Sequence, residues 1–82
     1  MTAERIREAV TAQPFVPFDL RLVDGRSFAI RHTDYVAVPP IQRPRDILVF
    51  SPMADNPDEY RTHRIDLALV IELTTPSAAA TA

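Results

Sequence analysis

The sequence predicts an α+β domain that is mainly β: an N-terminal amphipathic helix followed by a five- or six-stranded antiparallel, strongly curled sheet. Three observations predict it. Apolar residues recur three and four apart over residues 3–12, the apolar period drops to two from Phe18 onward, and the chain's only glycine falls in an Asp-Gly pair between two alternating runs. The 82 residues make a single domain, near the lower limit at which an apolar core supports itself without staples. That domain is expected over residues 1–75, with the helix at 3–12, the sheet at 18–74 and a mobile tail at 76–82.

Thr2 stands where an N-cap belongs, and Glu4 lies in the first turn, where the helix dipole favours an acid. Ile6, Ala9 and Val10 form one apolar stripe between the charges of Arg5, Arg7 and Glu8. Pro14 ends the helix, because a proline biases the residue before it away from helical geometry and has no N–H to donate. Pro17 enforces a second extended step, so PFVPF is a stiff connector whose Phe15 and Phe18 pin the helix to the sheet.

In the first strand Phe18, Leu20 and Leu22 point one way while Asp19 and Arg21 point the other. Asp24-Gly25 turns the chain, since a tight hairpin needs a positive φ, and Ser27 to Arg31 returns with Phe28 and Ile30 beside the first strand. Tyr35 to Val38 reads as a short third strand stopped by Pro39-Pro40, with a polar, proline-rich loop reaching Pro44. Ile47 to Phe50 is so uniformly apolar that it asks for cover on both faces. Pro52, Asn56 and Pro57 then predict a loop over residues 51–59. A fifth strand runs from Tyr60 to Ile65 and a sixth from Val70 to Thr74, with Leu67, Ala68 and Leu69 as a single helical turn or a kink between them.

With 46% hydrophobic and 24% charged residues, the composition is that of a folded globular chain. Zero cysteines exclude a disulfide framework, a thiolate zinc site and a catalytic thiol. A signal-peptide core is missing from the first fifteen residues, and no stretch approaches the ~18 apolar residues of a membrane span, so a cytoplasmic protein is expected. The net charge of −2 argues against a DNA partner, and a single glycine leaves no way to write a phosphate-cradling loop. No cofactor is expected.

His32 and His63 are the only imidazoles, each with an acid nearby at Asp34 and Asp66. If the second and fifth strands are neighbours, these four groups converge as a metal site or an acid/base pair. The simpler reading has His32 bonding a turn backbone and His63 alternating outward between Arg61 and Ile65. Ser27, Thr33, Ser51 and Thr62 are the hydroxyls available as nucleophiles, yet none sits in a glycine-rich elbow. A chain this short is also not expected to enclose a substrate pocket of ~300 Å³, so catalysis is not expected. The arginines of the sheet and its loops, interleaved with Tyr35 and Tyr60, offer phosphate contacts and stacking platforms for single-stranded RNA. The candidate RNA- or partner-binding residues are Arg26, Arg31, Tyr35, Arg43, Arg45, Arg61 and Arg64, with Asp19, Asp24, Asp34, Asp46, Asp58 and Glu59 opposing them in charge.

The order PFVPFDLRLVDGRSFAIRHTDYVAV, an apolar strand, then RIDLALVIEL resembles a family of small bacterial proteins of unknown function. Its members show a PF-x-PF start, a DG hairpin, an I-x-H segment and a closing strand with regularly spaced isoleucines. The likeness spans the chain up to Thr75, and Thr33 stands where that family has a proline after the histidine. A weaker likeness, in element order and the DGRSF hairpin, is to small SH3-like and Sm-like barrels, although the usual Sm glycines beyond Gly25 are missing. An open sheet with the helix across one face is the alternative architecture. The function expected is a non-enzymatic protein-interaction or assembly module, acting on a protein partner or on itself, with RNA binding in the Sm manner as the alternative.

Overall fold

The computed structural model describes residues 1–53 and 55–76, so the tail expected at 76–82 lies, from Ser77 on, outside the described residues. A nine-residue helix α1 (Ala3–Thr11) precedes six strands: β1 (Phe18–Leu22), β2 (Ser27–Ile30), β3 (Val36–Ala37), β4 (Asp46–Met53), β5 (Asn56–Asp66) and β6 (Val70–Thr74). None of the described helices is long and apolar enough to cross a membrane.

Helix α1 starts as its sequence dictates, with the Thr2 hydroxyl accepting from the Arg5 N–H at 3.4 Å. Its stripe supplies Ala3 and Ile6 to the core, with Ala9 and Val10 half-buried against it. Three contacts beyond the stripe hold the helix in place. The Met1 amino group donates to the Leu67 and Val70 carbonyls at 3.1 Å each, and the Arg7 guanidinium donates to the Pro39 carbonyl at 2.8 Å. In the connector, Phe15 and Phe18 meet with ring centroids 6.0 Å apart.

The β1–β2 hairpin forms as predicted. Gly25 holds φ at +93° and its N–H bonds the Leu22 carbonyl, while Leu22 N–H bonds the Arg26 carbonyl, which closes a three-residue loop. β1 is the centre of one antiparallel sheet, ordered β2-β1-β6, and β4 is the centre of a second, ordered β3-β4-β5. The strand count matches the upper expectation, but the single curled sheet does not: among the described residues the two ladders are not joined. Two 3₁₀ turns separate them. His32 caps the first, Thr33–Tyr35, which takes Tyr35 out of the expected third strand and leaves β3 only Val36 and Ala37 before Pro39-Pro40. Asp66 caps the second, Leu67–Leu69, through a 2.8 Å bond from the Ala68 N–H, and the chain passes there from β5 to β6.

The loop expected at 51–59 is mostly strand. β4 runs on through Ser51, Pro52 and Met53, and β5 begins at Asn56. β3 covers only Leu48 and Val49 of β4, so at Pro52 that flank has no ladder for a missing N–H to interrupt. On the other flank the register with β5 slips between Pro52 and Met53, a bulge that absorbs the proline.

One apolar cluster serves both sheets and the helix: Phe18, Leu20, Leu22, Ile30 and Val70 from the first sheet, Val36, Ile47, Val49 and Ile65 from the second, with Ala3, Ile6 and Leu67. Leu20→Ala, at a fully buried position, is expected to cost about 2–5 kcal/mol, a large part of the roughly 4–12 kcal/mol available to a chain of this length. Gly25→Ala is expected to cost roughly 1–2 kcal/mol. All of that is backbone strain, because an added Cβ meets nothing within 4 Å. Urea unfolding followed by circular dichroism measures both, and a Gly25→Ala loss as large as that of Leu20→Ala would show that the hairpin carries more than its turn.

Candidate functional site

The alternation of β1, β2 and β6 puts Asp19, Arg21, Ser27, Ala29, Glu72 and Thr74 on the outer face of the first sheet. That face is polar, and Arg21 is tied to Glu72 across it at 2.8 Å. The outer face of the second sheet is different in kind. By the same alternation it carries Ala37, Leu48, Phe50 and Pro52, then Tyr60, Thr62 and Arg64 across the ladder, with Asp46 and Asp66 at the end beyond Leu48 and Arg64. Leu48 and Phe50 are half-buried yet stand apart from the core cluster, and Tyr60 is 55% exposed. The cover that the apolar Ile47–Phe50 run asks for on both faces is therefore supplied on one: Ile47 and Val49 are buried, Leu48 and Phe50 are not.

A second feature lies where the two sheets approach. His63 shares its face with buried Ile65 and is half-buried, rather than turned outward as the sequence suggests, and its ring packs against Phe28 at a tilt of 57° with centroids 4.8 Å apart. The Arg26 guanidinium sits 5.9 Å from the centroid of the Phe28 ring. Beside His63 a surface groove of about 330 Å³ is lined by Ser51, Pro52, Met53 and Arg61. Two of the predicted residues, Arg26 and Arg61, thus flank one aromatic pair that the sequence analysis did not join.

The other predicted residues are dispersed. Arg31 follows β2 beside Pro17 and Asp19, and Tyr35 lies in the first 3₁₀ turn with its ring 6.5 Å from that of His32. Arg43 lines a groove of about 330 Å³ at the N-terminal end of α1, where Glu4 faces it, and the Arg45 backbone carbonyl accepts from the Leu67 N–H. Arg64 pairs loosely with Asp46 at 3.7 Å on the outer face of the second sheet. A larger groove of about 520 Å³ between α1 and β6 is lined by Arg5, Glu8, Ala9, Ile71 and Leu73. These volumes exceed what the sequence led us to expect, but they belong to surface grooves.

The four groups offered as a metal or acid/base site do not converge. β2 and β5 belong to different sheets, and among the described residues no three His, Asp or Glu side chains stand close enough to share an ion. His32 does what its simpler reading predicts: Nδ1 accepts from the Asp34 N–H at 3.2 Å, with the Asp34 carboxylate at 3.4 Å. Asp66 is occupied as a cap, and His63 by Phe28. Among the described residues no serine or threonine hydroxyl bonds either imidazole.

Comparison of the chain with protein-family models, with curated proteins and with solved structures finds no match.

Asp24 shows how the hairpin neutralises its own arginine. Its carboxyl is held below the usual carboxylate value, first by the Arg26 N–H at 3.1 Å and further by the Arg26 guanidinium at 2.8 Å. A lowered folded value means stability present above the unfolded pKa and lost as pH falls through the folded one. The gap in urea midpoint between wild type and Asp24→Ala is therefore expected at pH 7 and should shrink below about pH 4. A gap that persists unchanged in acid would mean that Asp24 acts through turn geometry alone.

Proposed function

We propose that this chain is a non-enzymatic protein-interaction module that docks its partner on the outer face of the second sheet, the β3-β4-β5 face. One observation carries the reading: Leu48 and Phe50 stand on an apolar face outside the core, whereas the corresponding face of the first sheet is polar. An apolar patch rimmed by polar groups is the usual mark of an interaction surface. The helix-plus-six-strand order accords with the small-barrel likeness of the sequence, an architecture that spends one sheet face on its core and leaves the other for contacts. A cytoplasmic setting suits a chain whose described helices include none able to span a bilayer.

Truncating a central aromatic at such a surface costs about 2 kcal/mol of binding, or roughly 30-fold in affinity. Phe50→Lys should leave the fold intact to within ~1 kcal/mol, because the side chain lies outside the core. Partners identified by mass spectrometry after capture on the immobilised wild-type protein are expected to be lost on Phe50→Lys. If the two proteins capture the same set, the outer face is not the docking surface and the reading fails.

A second reading has its own observation. The Phe28–His63 pair between Arg26 and Arg61 offers stacking and phosphate contacts to single-stranded RNA. Binding to mixed-sequence RNA, read by fluorescence polarisation, should then weaken steeply with salt and fall on Arg61→Ala. Polarisation that stays flat at low salt removes RNA from consideration.

A further inference from the structure

We infer that the open flank of β6 takes up an extended segment of a partner protein as a fourth strand of the first sheet, with alternate apolar side chains of that segment lodged in the groove against α1. This site goes beyond the outer-face reading above and stands or falls apart from it.

The two sheets leave four strand edges among the described residues, β2 and β6 on the first and β3 and β5 on the second. Three of them are guarded. β3 has two residues and runs on into Pro39-Pro40, β5 carries the charges of Asp58, Glu59, Arg61 and Arg64, and β2 lies against β5 through the Phe28–His63 contact. Brevity, charge and cover are the devices that keep a sheet's rim from pairing. At β6 the bulge lies near Val70, whose carbonyl accepts from the Met1 amino group, and from Ile71 to Thr74 no guard remains. That stretch has no proline, and its one charge, Glu72, is held on the outer face by Arg21.

The ladder shows which backbone groups are left. The Leu22 N–H bonds the Arg26 carbonyl, so Leu22 and, by alternation, Leu20 turn their polar groups to β2, while Arg21 and Asp19 turn theirs to β6. Opposite these two stand Glu72 and Thr74, whose groups are thereby taken. Leu73, between them, directs its N–H and C=O to the open flank. Its side chain lines the groove of about 520 Å³ with Ala9 of α1 and with Ile71, which is 50% exposed. An unmet donor and acceptor beside an apolar trough are complementary to one kind of ligand, another extended chain. Arg5 and Glu8 line the helix side of the groove, and among the described residues neither is ion-paired, so the segment that fits carries both signs. The chain itself leaves β6 on the other side: Pro76 lies beside Pro17, Ala29 and Arg31, toward β2 and away from the open flank.

The test uses the full chain and a blocked synthetic peptide that alternates valine with threonine and carries one lysine and one glutamate. In the free protein the Leu73 amide is expected to exchange with deuterium faster than the Glu72 amide, read by nuclear magnetic resonance. The peptide should bind with Kd below ~1 mM and slow that exchange. Leu73→Pro removes the outward N–H, whereas Leu73→Ala removes the side chain alone; with both folded by circular dichroism, the first should bind at least ~10-fold more weakly than the second. Should Leu73→Pro fail to fold, a peptide methylated on alternate amide nitrogens makes the same comparison and should lose the same factor. Phe50→Lys should leave peptide binding unchanged. A peptide that stays unbound at ~1 mM overturns the inference. So does binding indifferent to Leu73→Pro and to methylation, which means side-chain contacts without strand addition, or binding lost in Phe50→Lys, which moves the peptide to the outer face. A Leu73 amide already protected in dilute protein shows the flank covered, and one protected only as protein concentration rises makes the occupant a second copy; either result overturns the partner assignment. If the peptide fails while Phe50→Lys still loses captured partners, the outer-face reading stands alone.

Discussion

The Phe18-Leu20-Leu22 row of β1 and the Ile47-Val49 row of β4 share one apolar cluster, and every other element is placed by the need to complete it. Leu20 is fully buried and pairs with Phe28 on one flank and Leu73 on the other, so β1 fixes both of its neighbours. Ile6 drives the helix into the same cluster, and Leu67 brings the second 3₁₀ turn to it. With no cysteine in the chain, that cluster cannot be replaced by a covalent staple. The core-facing side of each sheet is therefore strictly committed. What differs between the sheets is the side left over.

That asymmetry ties structure to function. On the first sheet the leftover side carries an Arg21–Glu72 pair among short side chains, and such exposed charges gain little from desolvation. On the second, two half-buried apolar side chains and a tyrosine remain in partial contact with water, and each gains by being covered. Of the six arginines singled out by charge, Arg26 is held by Asp24 and Arg64 loosely by Asp46, while Arg21 and Arg7, outside that set, bond Glu72 and a loop carbonyl.

The sequence was legible where one local rule acted without competition. The Thr2 cap, the Gly25 hairpin, the alternation of β1 and the limits of β6 all follow from neighbours within a few residues. It misled at residues 51–59, where Pro52 and Asn56 are breakers by type, yet a short β3 and a bulge left the ladder nothing to lose. Tyr35 looked like a strand residue by propensity, but the His32 side chain gave the backbone an alternative partner. His63 was misplaced because its ring finds Phe28, a contact between two sheets that no spacing encodes. The outer face was half legible: the Ile47–Phe50 run announced a need for cover on both sides, while the absence of that cover is a fact of three dimensions.

Among the described residues only Gly25 holds a positive φ, and every non-glycine residue keeps to the ordinary left half of dihedral space. Combined with eight prolines and one glycine, this bears on the unfolded chain more than on the folded one. Each proline fixes a dihedral that any other residue would have to give up on folding, and each missing glycine removes a wide spread of unfolded conformers. The denatured ensemble is thereby narrowed before folding begins, and the entropy to be surrendered is smaller than for an average sequence of this length. Part of what a small core cannot supply in burial is met by a chain that has less disorder to lose.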